Sequence, residues 1–419
     1  MANYQLAEMF SGPGGIAAGA RDATRDHRGT SRIGHAWAVD YHPDTTRTYA
    51  HNITGNDMST VFTADVRDFD VRTPGKFNAF AFGFPCNDFS LVGEQRGLDG
   101  EFGPLYSYGV HAIALNSPDW FIAENVSGIR GANGGLAFGK ILSALQNPAA
   151  AVADDPAFLE KYSSHLSDLD AELEYDLVAH LYRFEEYGIP QRRHRVLLVG
   201  IRRDIAERLP RPFAVPAPTS RAKMKQMTAR EALEFDPIPE WATNNDKIRH
   251  PQRVTDRISQ IAPGKNAFNT EFDEASGLRL NVKGATLSNI YRRLHPDKPA
   301  YTVTGSGGGG THMYHWEEPR ALTNRERARL QTFADDYSFI GGRQSVRRQI
   351  GMAVPPQAAA MLFSALLDTL DGVEYEVDTD GPNIDAEALI SAFRSGGDST
   401  KALRAIPAPD LQASIPGID

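Results

Sequence analysis

The stretch YQLAEMFSGPGGIA, Tyr4 to Ala17, decides how the rest of the chain is read. Tyr4 to Phe10 reads as a strand, Ser11-Gly12-Pro13-Gly14-Gly15 as a turn, and a helix follows from Ile16. That order opens nucleotide-binding α/β folds, because glycine lets the backbone approach a ligand and a helix start presents free N–H groups. Gly12, Gly14 and Ala17 fit the loose G-x-G-x-x-G/A pattern, and a plain structural turn accounts for them about as well.

The following segments repeat the theme of ligand-type residues at strand ends. His35 to Val39 is a strand closed by Asp40 and Tyr41. Asp40 is placed to accept from ribose hydroxyls or to cap the helix that starts near Pro43, and Tyr41 can pack on a purine. Val61 to Ala64 is a short strand followed by Asp65. An apolar run, Phe77 to Phe84, leads into AFGFPCNDFS, Ala81 to Ser90, which holds Cys86, the only cysteine in 419 residues. Gly83 and Pro85 end that strand, so Cys86 falls on a loop at its carboxyl end, where open parallel sheets bind ligands. A thiol there is a nucleophile if its thiolate is favoured, and otherwise a small buried hydrophobe. Trp120 to Ala123 is the next buried run, with Glu124-Asn125-Val126 at the same edge. Glu124 is either a working carboxylate or an ordinary rim glutamate. Leu91 to Pro104, with four glycines, reads as a lid or as a surface loop.

Composition bounds the class. With 41% hydrophobic and 23% charged residues, the chain is expected to fold as two domains around a large core. No apolar stretch approaches the roughly 20 residues that span a bilayer, and the N-terminus lacks a signal-peptide pattern, so no membrane and a cytoplasmic location are expected. One cysteine excludes an internal disulfide and a multi-cysteine zinc site. The net charge is −9, of which −7 lies from Asp371 onward. The earlier part is nearly balanced and carries basic clusters around Arg192, Arg221, Lys247, Arg325 and Arg343, which leaves a nucleic-acid surface open.

Further along, Ala149 to Tyr175 reads as helical. Leu177 to Phe184 and Val196 to Ile201 read as paired strands, joined by a segment containing Arg192, Arg193 and Arg195. So much positive charge beside buried strands calls for an anion, and phosphate is the economical one. At about Arg208 the composition turns proline-rich and irregular, which marks a smaller second domain. Thr302 to Thr304 is a short strand running into the glycine-rich run from Gly305 to Gly310. Thr323 and Glu326 form a capping box, a final helix spans Pro355 to Leu370, and a loosely ordered acidic tail follows.

Six motifs then stand in order: FSGPGG (Phe10 to Gly15), GFPCNDFS (Gly83 to Ser90), ENV (Glu124 to Val126), QRRHR (Gln191 to Arg195), RALTNRERARLQTF (Arg320 to Phe333) and QIGMAVPP (Gln349 to Pro356). The series resembles the carbon-5 cytosine DNA methyltransferases from Leu6 to Leu370. The resemblance implies an α/β fold: a doubly wound, mostly parallel Rossmann-like methyltransferase sheet with a smaller, irregular target-recognition domain. Its layout would be a catalytic domain over 1–207, target recognition over 208–318, a return to the catalytic domain over 319–370 and an acidic tail over 371–419.

By the same resemblance, Cys86 attacks carbon 6 of a flipped-out cytosine and Glu124 bonds N3 and the exocyclic amine. Arg195 holds O2 or a phosphate, Arg193 supports the loop, and Ser90 fixes the nucleophile loop or a flanking phosphate. S-adenosylmethionine is implied as methyl donor, with no metal, bound by Phe10, Gly12, Gly14, Gly15, Asp40, Tyr41, Asp65, Val66, Pro85 and Met352. Two positions depart from the pattern: Met352 stands where the family usually has asparagine, removing one polar contact, and Asn87 replaces the usual glutamine after the cysteine. The implied partner is double-stranded DNA, bound by a monomer, with a companion restriction endonuclease in a restriction-modification system. Transfer RNA is the rival substrate, and the long segment Arg208 to Asp297 favours DNA. Intact Cys86, Glu124 and Arg195 argue against a relative that only binds.

Overall fold

The computed structural model describes residues 3–85, 105–220, 225–280, 289–305 and 312–396, apart from the Asn133 side chain. Cys86, Ser90 and the glycine-rich loop at 91–104 lie outside the described residues. In chain order the first elements are β1 (Asn3–Met9), α1 (Gly15–Asp26), β2 (Arg32–Asp40), α2 (Pro43–Tyr49), β3 (Val61–Thr63), β4 (Ala79–Phe82), α3 (Tyr106–Asn116) and β5 (Trp120–Val126). Next come α4 (Leu136–Gln146), α5 (Pro148–Val152), α6 (Pro156–Tyr162), β6 (Tyr175–Arg183), β7 (Gln191–Arg192), β8 (His194–Arg202) and α7 (Arg203–Ala206). The remainder is α8 (Ala229–Glu234), α9 (Gln252–Gln260), β9 (Ala300–Tyr301), α10 (Asn324–Leu330), α11 (Arg343–Met352), α12 (Pro356–Asp371) and α13 (Ala386–Arg394).

Two compact units result. The first gathers the described parts of Met1–Tyr182, His194–Ala217 and Ala359–Ala408; the second gathers Arg183–Arg193 and the described parts of Pro218–Ala358. These divisions differ from those expected: residues 208–217 pack with the first unit and 319–358 with the second.

In the first unit, seven strands form a sheet in the order β3-β2-β1-β4-β5-β8-β6. β2, β1, β4 and β5 pair in parallel, as does β3 with β2, whereas β8 runs antiparallel to β5. The strand order reverses direction between β1 and β4, which makes the carboxyl edge there the switch point where such sheets bind ligands. The central strand β4 (AFAF) is apolar and buried at every position, because both faces of the sheet are covered there. Phe80, Phe82, Phe121 and Trp37 anchor the core. Caps fix the helix starts: His42 accepts from Asp44 N–H before α2, and Asp155 from Ala157 N–H before α6.

One polar chain runs through this core. Glu8 on β1 is 1% exposed and accepts from the Tyr49 hydroxyl at 2.5 Å. Tyr49 meets His35 Nδ1 at 3.1 Å, and His35 Nε2 meets Thr60 at 2.9 Å. Burial pushes the Glu8 carboxyl up to about 8, against a smaller opposing pull from the Tyr49 hydrogen bond.

Three expectations need correction. The segment Ala149 to Tyr175 is not one helix: α5 and α6 are short, a turn of 3-10 helix follows, and β6 begins at Tyr175. Pro148 and Pro156 each start a new helix, so the alanine-rich composition does not make one continuous rod. The segment Arg343–Asp371 is long and apolar enough to cross a membrane, although 72% of its most apolar window is buried inside the protein. The acidic tail, finally, is ordered as far as the described residues run. Ile384, Ala386, Leu389 and Ile390 join the main core, and α13 lies so close to α4 that a Cβ on Gly139 would meet the Leu389 carbonyl at 2.6 Å. Asn383 accepts from Leu181 N–H at 2.8 Å, and Asp385 caps α13. Charge between these positions masked an apolar face at helical spacing.

The second unit is irregular, as expected. Its two-stranded sheet pairs Gln191 with Ala300 and Arg192 with Tyr301. Its apolar centre is small, built on Ile258, Ile261, Tyr291 and Tyr314. Buried guanidinium groups do much of the remaining tying. Arg293 donates to the carbonyls of His315 (2.9 Å), Ile261 (2.8 Å) and Trp316, and Arg325 to those of Thr243 (3.0 Å), Ala334 (2.8 Å) and Tyr337 (2.6 Å). Irregular backbone leaves carbonyls that no ladder satisfies, and a five-donor side chain serves several at once. The Thr323–Glu326 capping box is present at the start of α10.

Since Leu389 is 1% exposed within the core, Leu389→Ala is expected to lower the unfolding free energy by about 3 kcal/mol. Urea denaturation checks this; a loss below about 0.5 kcal/mol, the usual size of a surface effect, would return α13 to a dispensable tail.

Candidate functional site

The Ser11–Gly15 turn lies at the switch edge. Its backbone is left-handed at Phe10 (φ 54°), Gly12 (φ 57°) and Gly14 (φ 94°), and the last of these caps α1. Ser11 N–H donates to Val39 at 3.1 Å, which ties the turn to the end of β2. Asp40 then binds across it, accepting from Gly12 N–H at 2.9 Å and from His42 N–H at 3.1 Å. Asp40 is therefore not the cap of α2; His42 is. Burial raises the Asp40 carboxyl, and the N–H groups of His42 and Gly12 hold it back.

A nucleotide-like ligand fits this edge. A Cβ on Gly12 would meet nothing within 4 Å, so the turn faces open space. Ser11 Oγ is buried without a hydrogen-bond partner among the described residues, which leaves it able to bond a ligand. Tyr41 stands 74% exposed beside Asp40, with its ring free to stack. Phe10 is half-buried against the core, and Val66 is buried in it. Asp65 is committed to Arg67, whose Nε and Nη2 reach its two oxygens at 3.0 and 2.6 Å and hold the carboxyl below its usual range. Met352 belongs to the second unit, where it is 67% exposed at the end of α11.

The second part of the edge is built by β4, β5 and β8. The antiparallel register sets Val126 opposite Arg195 and Glu124 opposite Leu197. Arg195 Nε meets Glu124 Oε1 at 2.9 Å, both side chains being about 15% exposed or less, and Arg195 Nη1 donates to the His194 carbonyl at 2.8 Å. The other Glu124 oxygen faces Gly83, where a Cβ would approach it to 3.2 Å. Asn125 is 4% exposed and donates to the Phe84 carbonyl at 3.1 Å, fixing the chain two residues before Cys86. The structure thus brings Glu124 and Arg195 together beside the segment, ending at Pro85, that leads to the cysteine. Sequence reading gave no role to Asn125 and treated Gly83 only as a strand stop. ENV and GFP were in view, but nothing short of geometry joins them.

Arg193 is used differently. Its side chain is 2% exposed and donates to the carbonyls of Val303 (3.2 Å), Gly351 (3.1 Å) and Ala353 (3.1 Å) within the second unit. A break between strands explains the split: alternation would put residues 193 and 195 on one face, but β7 ends at Arg192 and β8 begins at His194, so Arg193 sits in the break. Among the described residues, no three histidine, cysteine or acidic side chains converge as metal ligands do.

A profile of the C-5 cytosine-specific DNA methylases matches residues 4–148 and 157–368. The type II methyltransferase M.BbvI of Brevibacillus brevis is 49% identical over 381 residues, covering 89% of this chain and 93% of that protein. M.NgoFVII of Neisseria gonorrhoeae, another type II methyltransferase, is 33% identical over 377 residues, 89% of either chain. In structure, a prophage-encoded DNA modification methyltransferase from E. coli superimposes with a TM-score of 0.60 at 19% identity, covering 88% of this chain and 99% of its own. That likeness establishes the mostly parallel α/β fold.

The side chain of Arg193 has a clear structural duty. Arg193→Met strands three carbonyls and is expected to cost about 3 kcal/mol of stability, measured by urea unfolding of the whole chain. An unchanged midpoint would show that these bonds are dispensable.

Proposed function

Because the chain belongs to the family of C-5 cytosine-specific DNA methylases, we propose that it is a sequence-specific DNA cytosine-5 methyltransferase whose nucleophile is Cys86. The observation that most supports the reading is the Glu124–Arg195 pair at 2.9 Å, on the strand edge that runs on toward Cys86. A cytosine inside a duplex cannot reach such an edge, so the base must be turned out of the stack.

Carbon 5 of cytosine is a weak nucleophile because the ring electrons are delocalised. The Cys86 thiolate forms a bond to carbon 6, and the displaced electron pair makes carbon 5 enamine-like. Glu124 bonds N3 and the exocyclic amine, where charge builds up during the attack, and Arg195 holds O2 while fixing the Glu124 carboxyl. Gly83 leaves room for that carboxyl, and Asn125 holds the approach to the cysteine. Bound S-adenosylmethionine would supply the methyl group: as carbon 5 bonds to it, the bond from the methyl to the sulfonium sulfur would break, its electron pair returning to sulfur to leave S-adenosylhomocysteine. A base then takes the carbon-5 proton, the electron pair of that bond re-forms the ring double bond, and the bond from sulfur to carbon 6 breaks to return the thiolate.

Within the donor pocket, Asp40 would take the ribose hydroxyls through lone pairs left over from the Gly12 and His42 N–H bonds. Phe10 and Tyr41 would flank the adenine, with Gly12, Gly14 and Gly15 shaping the turn and Ser11 Oγ adding a contact that the sequence did not suggest. Asp65 with Val66 and Pro85 complete the proposed set, with Ser90 on the nucleophile loop. The irregular second unit would carry target recognition. Action as a cytoplasmic monomer, beside a companion restriction endonuclease, belongs to the same proposal.

The decisive measurement is bisulfite sequencing of host DNA with and without the expressed protein. One cytosine in a fixed sequence context should become protected, Cys86→Ala should abolish protection in a folded protein, and Gly83→Ala, by crowding Glu124, should slow methylation by about tenfold, the size of effect expected when a positioned group is slightly displaced. Protection retained in Cys86→Ala would overturn the mechanism.

A further inference from the structure

Within the second unit, Arg327 on α10 is 2% exposed, and its Nη2 is buried with no hydrogen-bond partner among the described residues. The acid beside it is already used. Glu326 accepts from Arg320 Nη1 and Nη2 at 2.8 and 2.7 Å and from Thr323 N–H at 2.7 Å. Besides Glu326, the groups that act on the Arg327 charge are Arg347 and the phenols of Tyr301 and Tyr314. Arg347 on α11 donates from Nη1 to His312 Nδ1 at 3.2 Å. Burial first, and then the charges of Arg327 and Arg347, bring His312 down to about 4, so it is neutral at physiological pH. Tyr301, which also feels the Arg327 charge, carries Arg292 over its ring at 4.6 Å and lies opposite Arg192 in the β7–β9 register.

A buried guanidinium without an acid is a strongly unfavourable arrangement. Arg193, Arg293 and Arg325 avoid it by binding several carbonyls; Arg327 does not. Burial lowers even this arginine to about 10. What would offset it is an anion with several oxygens, the chemistry that guanidinium forks match best.

We propose that Arg327 and Arg347 form an anion site that takes a backbone phosphate of duplex DNA, with Arg327 as its buried anchor and Arg347 as its half-exposed outer contact. The site rests on the reading of this protein as a DNA methyltransferase. It would set the position of the duplex on the second unit without reading any base.

The test measures duplex affinity of the full chain by fluorescence anisotropy across a salt series, for wild type, Arg327→Met, Arg347→Gln and the double variant, on two unrelated duplexes. Each single variant should weaken binding about tenfold on both duplexes and reduce the slope of log affinity against log salt by about 0.9, the value for one phosphate. The double variant should lose no more slope than either single one, because both arginines hold the same phosphate. Arg327→Met should melt at or above the wild-type temperature. Unchanged slopes in Arg347→Gln would overturn the site, as would a lower melting temperature of Arg327→Met with unchanged binding. A loss confined to one duplex would replace the phosphate with a base contact. Stabilisation by inorganic phosphate at matched ionic strength, with DNA slopes unaltered, would remove the assignment to DNA. A wild-type protein that binds neither duplex would instead defeat the methyltransferase reading itself, before any variant is compared.

Discussion

The ion pair between Glu124 and Arg195 exists because β8 runs against the direction of β5. Parallel strands deliver only their carboxyl ends to the working edge of a sheet. An antiparallel neighbour delivers its first residues there instead, so an arginine near the start of β8 comes diagonally beside a glutamate near the end of β5. The rest of the edge follows from ordinary requirements. β4 must be apolar because it is covered on both faces, it must stop where Gly83 and Pro85 stop it, and the next residue is the cysteine. A register slip of one residue between β5 and β8 would turn Arg195 to the opposite face.

The two units solve the same problem with different means. The first satisfies its backbone in strand ladders and fills the space between layers with aromatic rings, such as Phe80 against Phe82 at 5.2 Å. The second has little ladder and few aliphatic side chains, and it holds its loops by spreading buried arginines over backbone carbonyls. Loops tied in this way depend on their arginine anchors, an arrangement that would suit the target-recognition role proposed for this unit. Gly351 shows how tight the fit is: a Cβ there would run into the backbone at Thr304 and Gly305.

Much of the fold could be read directly from the sequence. The strand–turn–helix at Tyr4 to Ala17, the apolar runs of β4 and β5 and the Thr323–Glu326 box all carry local signals strong enough to survive in the fold. What escaped was decided at a distance. The apolar face of α13 lies inside an acidic segment, where charged neighbours separate its buried Ala386, Leu389 and Ile390. Arg193 and Arg195 look alike in QRRHR, yet a break between two strands sends one to carbonyls and the other to a carboxylate. Asp65 at its strand end also bonds Arg67 through both oxygens, a pairing that the strand-end position does not announce. Side-chain partners of this kind have no signature in one dimension.

Glu8 adds a consequence for the sheet as a whole. Its carboxyl is shifted upward from 4.5 to about 8, so at neutral pH it is protonated in the folded chain and ionised in the unfolded one. Assembling the sheet therefore takes up a proton, and unfolding it releases one. The stability that this group contributes is complete below pH 4.5 and is lost as pH rises through about 8, which makes mildly alkaline buffer a specific stress on the strand that carries the Ser11–Gly15 turn.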